Sequence, residues 1–562
     1  MGKTAAVHYI RDAYDTSGKK LLGRQAAGEG FLRGLVEYGT AERLYCYAKT
    51  RQDFSEFCNL IHPWAKKPRP VRWLSANEPT SLAEVGTLYK PDPDIIELVW
   101  QRRFASQRAY SICGVTHTIA TKAAMKVLAE LALAPVQPWD AVICTSKAVK
   151  TAVEQLLQTW GEYLAQRTGG KAEAVLQLPV IPLGINCDAF ATGNEALAKR
   201  ATWRQKFGIS ENDIVILFVG RLIFSAKAHP VPMYLAVERA AQTTGAKVHL
   251  IQAGWFDDVR DESDFKNSPK FFCPSVNIIF LDGRDRQIRS DIWYIADIFI
   301  SLADNVQETF GLTPIEAMAA GLPVVVSDWN GYQESVRHEI DGFKIPTLTP
   351  PPLSGLDFAE LYVTETLNYG TYIGHVALAT AVDVDACAQA LTILISDRNL
   401  RQRLGENGRM RAREIYDWKV IIPTYEQLWQ ELAEIRAHSP EIVPAAFDTP
   451  PYPLCDDPFR LFSHYSSARL RDDLVLGLGE MATTEALQQI RSIRFTSYGP
   501  DKRLPLAQID QIIAALAEQG PLSVGEIFSR FASNSPKPYL YRTLVYLLKF
   551  DILRIETHWG RN

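Results

Sequence analysis

The stretch Glu308-Thr309-Phe310-Gly311-Leu312-Thr313-Pro314-Ile315-Glu316 places two carboxylates eight positions apart. The apolar run 298–300 before it predicts a buried strand. Thr313 and Glu316 have the spacing of a capping box, which predicts the start of a helix, and residues 321–323 (Gly-Leu-Pro) end that helix. A helix N-terminus beyond a strand offers free N–H groups and a positive dipole end, which suit an anion. Carboxylates beside an anion repel it, so they suit hydroxyl groups.

Strands and helices alternate along the chain. In the first half, strands are predicted at residues 5–10, 43–47, 141–144 and 178–181, and a helix at 30–38. The pattern restarts at the apolar run 214–219 and continues with a helix at 234–242 and strands at 248–252, 278–281, 298–300 and 324–326. This alternation predicts parallel, doubly wound sheets. The fold class is therefore α/β, with two doubly wound Rossmann-like lobes.

The domain boundaries follow from the same pattern. Residues 1–205 are predicted as the first lobe, 206–437 as the second, and the proline-rich residues 438–458 as a linker. Residues 459–562 carry predicted helices at 506–519, 524–531 and 539–549 and a strand at 552–555, an order similar to a winged helix. The third of these helices is mostly apolar, with only Arg542 and Lys549 basic. This favours a docking or dimerisation module over nucleic-acid binding.

The opening stretch resembles the Glu-x7-Glu signature of the retaining family 4 (group 1) glycosyltransferases. The resemblance implies the two-lobed GT-B architecture, with an acceptor-side first lobe, a donor-side second lobe and a last helix that packs back on the first lobe. It implies that Glu308 contacts the donor sugar hydroxyls and that Glu316 holds the nucleotide ribose. It also implies that the helix start at Gly311 and Leu312 holds the diphosphate. The alternatives are a plain loop carboxylate for Glu308 and a helix cap alone for Glu316.

The resemblance assigns three further residues to the chemistry. Arg221 follows the predicted strand 214–219, and Lys227 comes six residues later; both are assigned to the donor diphosphate. Fixed cations stabilise the charge that a departing diphosphate gains. His117 corresponds loosely to a family histidine near the donor sugar. The alternatives are surface placement for the cations and a hydrogen-bonded core position for the histidine.

Gly28 precedes the predicted helix 30–38 and Gly30 begins it; together they resemble the family's first-lobe glycine loop. Glycines let backbone approach a phosphate or a sugar closely. As a dinucleotide fingerprint the segment fails, because Arg33 stands where a glycine is required. The expectation is a flexible loop at the mouth of the cleft.

No metal site and no cofactor are predicted; a nucleotide-diphosphate sugar serves as co-substrate. The runs Asp92-Pro93-Asp94 and Asp383-Val384-Asp385 do not follow strands that would aim both carboxylates at one ion. No His or Cys cluster has zinc spacing. The resembling family needs no metal, since Arg and Lys take its charge role.

Composition places the chain among globular proteins. Hydrophobic residues make up 47% and charged residues 22%, no apolar run has the length of a membrane span, and no signal peptide is recognisable. The 8 cysteines are scattered, which indicates free thiols and a cytoplasmic location. Residues 1–200 hold 25 Lys and Arg against 19 Asp and Glu. Basic segments around residues 66–73 and 102–103 could meet an anionic acceptor, nucleic acid or a membrane surface, and a solvated surface is the alternative.

The stretch from about 348 to 380 lengthens a connection that is usually shorter in the resembling family. It begins with three prolines and carries Tyr362, Tyr369 and Tyr372. Two hypotheses for it are an oligomer contact and a lid on the acceptor side.

Together these features predict a metal-independent, retaining glycosyltransferase. It would move a sugar from a nucleotide-diphosphate donor to an acceptor hydroxyl, in glycan or glycoconjugate synthesis. The base, the sugar, the linkage and the acceptor (saccharide, lipid-linked or small molecule) stay open. The alternatives are a catalytically silent binding protein, a sugar-nucleotide epimerase and a phosphorylase on the same frame.

Overall fold

A computed structural model of the chain describes residues 3–16, 23–65, 67–444 and 449–556. The chain divides into two units, Met1–Tyr452 and Pro453–Asn562. The predicted basic segment at 66–73 begins at Lys66, and the predicted linker 438–458 includes residues 445–448; these positions lie outside the described residues. So do the chain start, Met1 and Gly2, and the last six positions of the C-terminal unit.

The first lobe is built around a six-stranded sheet in which all neighbouring strands run parallel. Its strands are β1 (Ala6–His8), β2 (Leu44–Ala48), β3 (Val71–Ser75), β4 (Thr87–Tyr89), β5 (Ser111–Val115) and β6 (Ala141–Ile143). Its helices are α1 (Arg11–Tyr14), α2 (Gly23–Tyr38), α3 (Arg51–Ile61), α4 (Ile96–Arg102), α5 (Lys122–Glu130) and α6 (Lys147–Thr168). The spatial order is β3-β2-β1-β4-β5-β6, the order of a doubly wound dinucleotide-binding sheet.

The second lobe repeats this plan. Its parallel strands are β7 (Ile214–Val219), β8 (Val248–Gly254), β9 (Asn277–Asp282), β10 (Ile298–Ser301), β11 (Val324–Ser327) and β12 (Gly342–Ile345), in the order β12-β11-β10-β7-β8-β9. Its helices include α7 (Gly193–Phe207), α8 (Pro230–Thr244), α9 (Val259–Asn267), α10 (Pro269–Phe272), α11 (Arg286–Ile295), α12 (Leu312–Ala319) and α13 (Tyr332–Ser335). The predicted fold class, two doubly wound lobes, is confirmed.

The strands β13 (Thr347–Leu348) and β14 (Ala381–Val382) form an antiparallel pair that joins the two ends of the segment between them. Those residues form α14 (Leu356–Val363) and α15 (Tyr369–Leu378), a hairpin that we call the insertion hairpin. Three helices complete the unit: α16 (Val384–Ser396), α17 (Arg398–Arg411), which continues as one π-helical turn over Ala412–Tyr416, and α18 (Trp418–His438).

Helix α18 returns from the second lobe to the first. Asp417 caps its start, and Trp418 packs against the α2 glycines Gly30 and Gly34. Glu426 accepts hydrogen bonds from the amide and the hydroxyl of Thr40 at 2.6 and 2.9 Å. The last helix of the unit is therefore part of the first lobe's core, as the resemblance implied.

The chain crosses between the lobes twice, and the two crossings are hydrogen-bonded to each other. The amide of Ile185 donates to Tyr416 O at 2.8 Å, and the amide of Trp418 donates to Ile185 O at 3.1 Å. A Cβ on Gly184 would lie 2.5 Å from the Trp418 ring. Only glycine fits at this contact, so the crossings are closely packed.

Several predicted boundaries were wrong. The predicted strand 178–181 forms only an isolated bridge, at Val180, whereas β3, β4, β5 and β12 were not predicted. The lobe boundary at 205/206 falls inside α7, whose Trp203 is buried in the second lobe's core. The second lobe therefore begins before α7. The first lobe's strands are short and mix polar with apolar residues. The sequence pattern that predicts a strand is therefore not recognisable in them.

Two arginines of the first lobe's basic segments serve the fold. Arg69 donates to the carbonyls of Leu35, Gly39 and Ala41 at the end of α2. Arg102 is fully buried and forms a two-pronged ion pair with Asp140, at 2.6 and 2.7 Å. These guanidinium groups are committed to the fold, so they are not part of an anion-binding surface.

The C-terminal unit has its own core. It contains α19 (Pro458–Leu461), α20 (Thr484–Ser492), α21 (Leu506–Gln519), α22 (Val524–Phe531) and α23 (Lys537–Lys549). The strands β15 (Val475–Leu478), β16 (Leu522–Ser523) and β17 (Leu553–Ile555) form an antiparallel sheet in the order β16-β15-β17. The three predicted helices and the strand after them are present, and the role of the unit stays a prediction. No helix in the described parts of the chain is long and apolar enough to cross a bilayer.

Candidate functional site

The candidate site lies where the strand order of the second lobe reverses, between β7 and β10. In open parallel sheets, ligands bind beyond the carboxyl ends of the strands at this point, because the two loops diverge and leave a crevice. Arg221 and Lys227 lie in the loop after β7, and Glu308 and Gly311 lie in the loop after β10. The topology therefore brings together groups that are far apart in sequence.

The loop after β10 is held in place by a buried amide. Asn305 is 0% exposed. Its Oδ1 accepts from the amide of Gln307 at 2.8 Å, and its Nδ2 donates to Ser225 O, in the β7 loop, at 2.5 Å. The Trp329 indole donates to Asn305 O at 3.1 Å. This network fixes the two loops against each other without using any of the predicted site residues.

Glu308 and Lys227 form an ion pair across the crevice. Lys227 Nζ lies 2.5 Å from Glu308 Oε2, and the two side chains are 18% and 14% exposed. Burial by itself would raise the pKa of Glu308, but the Lys227 ammonium and the amides of Phe310 and Thr309 outweigh it and lower that pKa. Burial would lower the pKa of Lys227, and Glu308 reverses this effect and raises it. Both groups are therefore charged near neutral pH.

Arg221 has no ion pair or hydrogen bond to any residue that the structure describes. It lines a small recess with His229 and Gln252 and lies within electrostatic range of Lys227. A guanidinium without a carboxylate partner, beside a second cation, is suited to bind an anion. Taken together, Arg221, Lys227 and the ionised Glu308 carry a net positive charge.

Helix α12 begins directly at the crevice. Its N-cap is Gly311, which has φ +86°, and no side chain caps the helix. A Cβ at Gly311 would lie 1.9 Å from Tyr332 Cε1, so both the backbone and the packing require glycine. The first amides of α12, starting at Leu312, are thus left without a side-chain acceptor and can meet a ligand.

The predicted capping box was wrong. Because Gly311 turns the chain straight into the helix at Leu312, Thr313 lies in the first turn instead of at the N-cap. Glu316 is then too far along the helix to reach the N-cap amide. The alternative that Glu316 is a helix cap is thereby removed.

Glu316 is half-buried, and its carboxyl group has no hydrogen bond or ion pair within the described residues. Burial raises the pKa of its carboxyl to about 7, although Lys227 opposes the shift. An unpaired acid in this position can accept hydrogen bonds from ligand hydroxyls once it is ionised. Its role as a ribose ligand stays a prediction.

The same crevice contains a buried acid that the sequence analysis missed. Asp304 is 2% exposed; its Oδ2 accepts from the amide of His229 at 3.2 Å, and its Oδ1 is buried without a partner in the described structure. Burial raises the pKa of Asp304 to about 7. A polar pair after an apolar run, Asp304-Asn305, was the available signal in the sequence.

The first lobe brings polar groups together after the neighbouring strands β4 and β5; its own switch point lies between β1 and β4. His117 Nε2 lies 2.8 Å from Pro91 O, so Nε2 carries the hydrogen and Nδ1 is left as an acceptor. Burial lowers the pKa of His117, which keeps the ring neutral. Lys90 is hydrogen-bonded to Asp92, so one carboxylate of the run Asp92-Pro93-Asp94 is paired with a lysine. In the second pair, Asp383 caps α16.

Hydrogen bonds between the lobes surround the crevice. Ser146 Oγ donates to Thr309 O, one residue after Glu308, at 2.9 Å. The amide of Lys147, at the start of α6, donates to Glu334 at 2.5 Å. The hydroxyls of Thr118 and Tyr369 are 3.2 Å apart. Thr118 directly follows His117, so these contacts place the first lobe's His117 turn beside the second lobe.

Gly28 and Gly30 do not form a loop, and this prediction was wrong. Both lie inside α2, which begins at Gly23. A Cβ on Gly28 would lie 2.1 Å from Ala13 O, and one on Gly30 would lie 3.1 Å from the Trp418 ring. Because these glycines have no side chains, α1 and α18 can pack closely against α2. Their role is therefore in core packing.

The class of protein is now defined: two Rossmann-like lobes in one unit, with a charged crevice at a switch point, are the GT-B arrangement. Comparison with known families agrees, because residues 199–350 match the family described as glycosyl transferases group 1. This segment contains Arg221, Lys227, Glu308 and Glu316. The predicted resemblance to the group 1 glycosyltransferases is therefore confirmed for this segment.

Individual relatives each match part of the chain. An uncharacterised glycosyltransferase of Methanocaldococcus jannaschii is 27% identical over 184 residues, covering 32% of this chain and 44% of the relative. The D-inositol 3-phosphate glycosyltransferase of Geodermatophilus obscurus is 25% identical over 217 residues, covering 38% of this chain and 46% of the relative. The chain thus spans less than half the length of these relatives. Among solved structures, Anabaena HepE in complex with UDP has a TM-score of 0.47 at 18% identity, covering 77% of this chain and 100% of HepE.

Proposed function

We propose that this protein is a metal-independent, retaining glycosyltransferase that moves a sugar from a nucleotide-diphosphate donor to an acceptor hydroxyl. The observation that carries the proposal is the Lys227–Glu308 ion pair beside the unpaired Arg221 and the unpaired Glu316, in one crevice. The group 1 domain that contains all four residues supports it. Apart from the nucleotide sugar as co-substrate, no cofactor is needed.

The cations and the helix start serve the leaving group. When the bond between the anomeric carbon and the phosphate oxygen breaks, negative charge grows on the diphosphate. Arg221, Lys227 and the uncapped amides at Gly311 and Leu312 would stabilise that charge without reorganising. These groups supply the charge that a divalent cation supplies in other transferases, so the reaction proceeds without a metal.

Glu308 is suited to orient the donor sugar. Lys227 occupies its Oε2, and Oε1 accepts from the amide of Thr309 at 3.3 Å; the amide of Phe310 also faces the carboxylate. The remaining lone pairs can accept from sugar hydroxyls, and the lowered pKa of Glu308 keeps it an acceptor. His117 presents a neutral Nδ1 from the first lobe and adds a second acceptor.

Retention follows from delivery of the acceptor on the face that the diphosphate leaves. The departing phosphate oxygen takes the proton of the acceptor hydroxyl while the new glycosidic bond forms, so no protein base is required. The acceptor binds on the first lobe. The reaction serves the synthesis of a glycan or a glycoconjugate. The lobe contacts at Thr309 and Thr118 exclude water and limit donor hydrolysis.

The test measures binding first and turnover second. UDP-glucose, GDP-mannose and ADP-glucose are titrated by calorimetry, and the donor that binds is incubated with saccharide and lipid-linked acceptors, with and without EDTA. We expect binding of one donor, transfer that EDTA does not abolish, and a product with the donor's anomeric configuration by NMR. A protein that binds none of the three donors would refute the proposal, and an inverted product would refute retention.

A further inference from the structure

The insertion hairpin rests on the loops that form the donor crevice. Gly374, in α15, packs against the β7 loop: a Cβ there would lie 3.0 Å from Ser225 Cβ. The buried Asn305 Nδ2 donates to Ser225 O and lies 3.5 Å from Ile373 O. Helix α15 of the insertion hairpin is therefore fixed to both loops that carry the charged groups of the site.

The other side of the hairpin contacts the first lobe. The amide of Lys122, the first residue of α5, donates to the Tyr362 hydroxyl at 3.1 Å. Lys122 Nζ donates to Val363 O at 3.2 Å and lies 4.8 Å from the centre of the Tyr362 ring. The N-terminus of α5 thus meets the C-terminus of α14, where the helix dipoles attract each other.

Tyr369 makes the contact closest to the site. Its hydroxyl lies 3.2 Å from Thr118 Oγ1, and Thr118 adjoins His117. Tyr369 is also within electrostatic range of Arg221. A residue of the second lobe's insertion therefore contacts the turn that carries the proposed sugar ligand and lies near the proposed diphosphate ligand.

We propose that Tyr369 is a positioning residue: its hydroxyl holds the His117–Thr118 turn against the donor crevice, while Tyr362 anchors the hairpin to α5. This inference rests on the proposed function and deepens it, because it assigns the insertion to donor enclosure. The turn is in place only when the hairpin contacts it. The hairpin therefore makes a complete donor pocket depend on closure of the two lobes.

Enclosure of the donor pocket would decide whether the donor sugar is transferred to the acceptor or hydrolysed by water. A closed pocket excludes water from the anomeric carbon, whereas a loosened His117–Thr118 turn admits it. Removing the Tyr369 hydroxyl should lower kcat/KM for transfer and raise the share of donor that is hydrolysed. A single hydrogen bond of this kind corresponds to a change of about 3-fold to 10-fold.

The test compares Tyr369→Phe with a matched control. Tyr372→Phe removes a hydroxyl three positions further along α15, and that hydroxyl has no hydrogen bond within the described residues. Thr118→Val removes the other partner at nearly constant volume. The full-length variants are checked for unchanged melting temperature, and transfer and hydrolysis are measured with whichever of UDP-glucose, GDP-mannose or ADP-glucose the wild type uses.

We expect Tyr369→Phe and Thr118→Val each to lower kcat/KM for transfer about 3-fold to 10-fold, and the double variant to lose no more than either one. Hydrogen–deuterium exchange of residues 116–121 in the donor complex should rise in Tyr369→Phe and not in Tyr372→Phe. Equal behaviour of the two tyrosine variants, with an active wild type, would overturn the inference and leave the proposed function intact. A wild type that binds no donor would overturn both.

Discussion

The unpaired carboxyl of Glu316 makes a prediction about pH. Its pKa is raised to about 7, so the group is mostly protonated at pH 6 and mostly ionised at pH 8. The carboxylate offers two charged acceptor oxygens to the ribose hydroxyls, whereas the protonated group has lost its charge and one oxygen has become a donor. Donor affinity should therefore fall as the pH falls through 7, by about tenfold between pH 8 and pH 6 for a single titrating group.

Glu316→Gln keeps the shape of the side chain and removes the titration. We expect donor affinity at pH 8 to fall by about 10-fold to 100-fold, the range for losing hydrogen bonds to a charged group. The variant's affinity should then be nearly the same at pH 6 and pH 8. The wild type at pH 6 should approach the variant, because a protonated Glu and a Gln resemble each other.

The assay is isothermal calorimetry with an intact nucleotide sugar, whose phosphates do not titrate near pH 6, whereas those of a free nucleoside diphosphate do. Asp304→Asn is the matched control, since Asp304 also has a pKa raised to about 7 but meets the backbone of His229. That control should keep the slope with pH. The reasoning is refuted if wild-type affinity is flat across this range, or if Glu316→Gln keeps the wild-type slope.

Three further predictions concern the same crevice. Arg221→Ala should raise the barrier to transfer by about 3 kcal/mol, because it removes one fixed cation from the leaving group; kcat with the preferred donor measures this, and normal turnover would remove Arg221 from the site. Gly311→Ala should destabilise the protein by about 2–5 kcal/mol, since a Cβ meets Tyr332 at 1.9 Å and the φ of +86° is strained; urea unfolding measures it. The pKa of Asp304 is raised from 3.8 to about 7 in the fold, so the folded state binds the extra proton and stability should fall as the pH rises through this window, by on the order of 4 kcal/mol at most. Asp304→Asn should flatten that slope in thermal unfolding, and an unchanged slope would contradict the assignment.

The second lobe was more predictable than the first for a physical reason. Its strands, such as β7 (Ile214–Val219), are buried on both faces and are continuous apolar runs. In the first lobe, β5 (Ser111–Val115) contains Ser and Gly and is just as buried, because helices and α18 cover it. Burial there comes from residues distant in sequence, which no local pattern records.

The candidate site divides in the same way. Glu308 and Glu316 were found because a long ordered motif surrounds them, and their spacing across a strand, loop and helix follows from local rules. Gly28 and Gly30 were misassigned, because two glycines fit a tight helix contact as well as they fit a loop. Tyr369 was not predictable, since its partner Thr118 lies 251 positions away on the other lobe.

The hydrogen-bonded crossing at Ile185 and Trp418 has a mechanical consequence. The two connecting segments are joined by the Ile185 amide and carbonyl and are packed through Gly184, so they cannot slide past one another. The two segments form a single hinge, and we expect the two lobes to rotate relative to each other about it. The opening that admits a substrate and the opening that releases a product must then be the same movement.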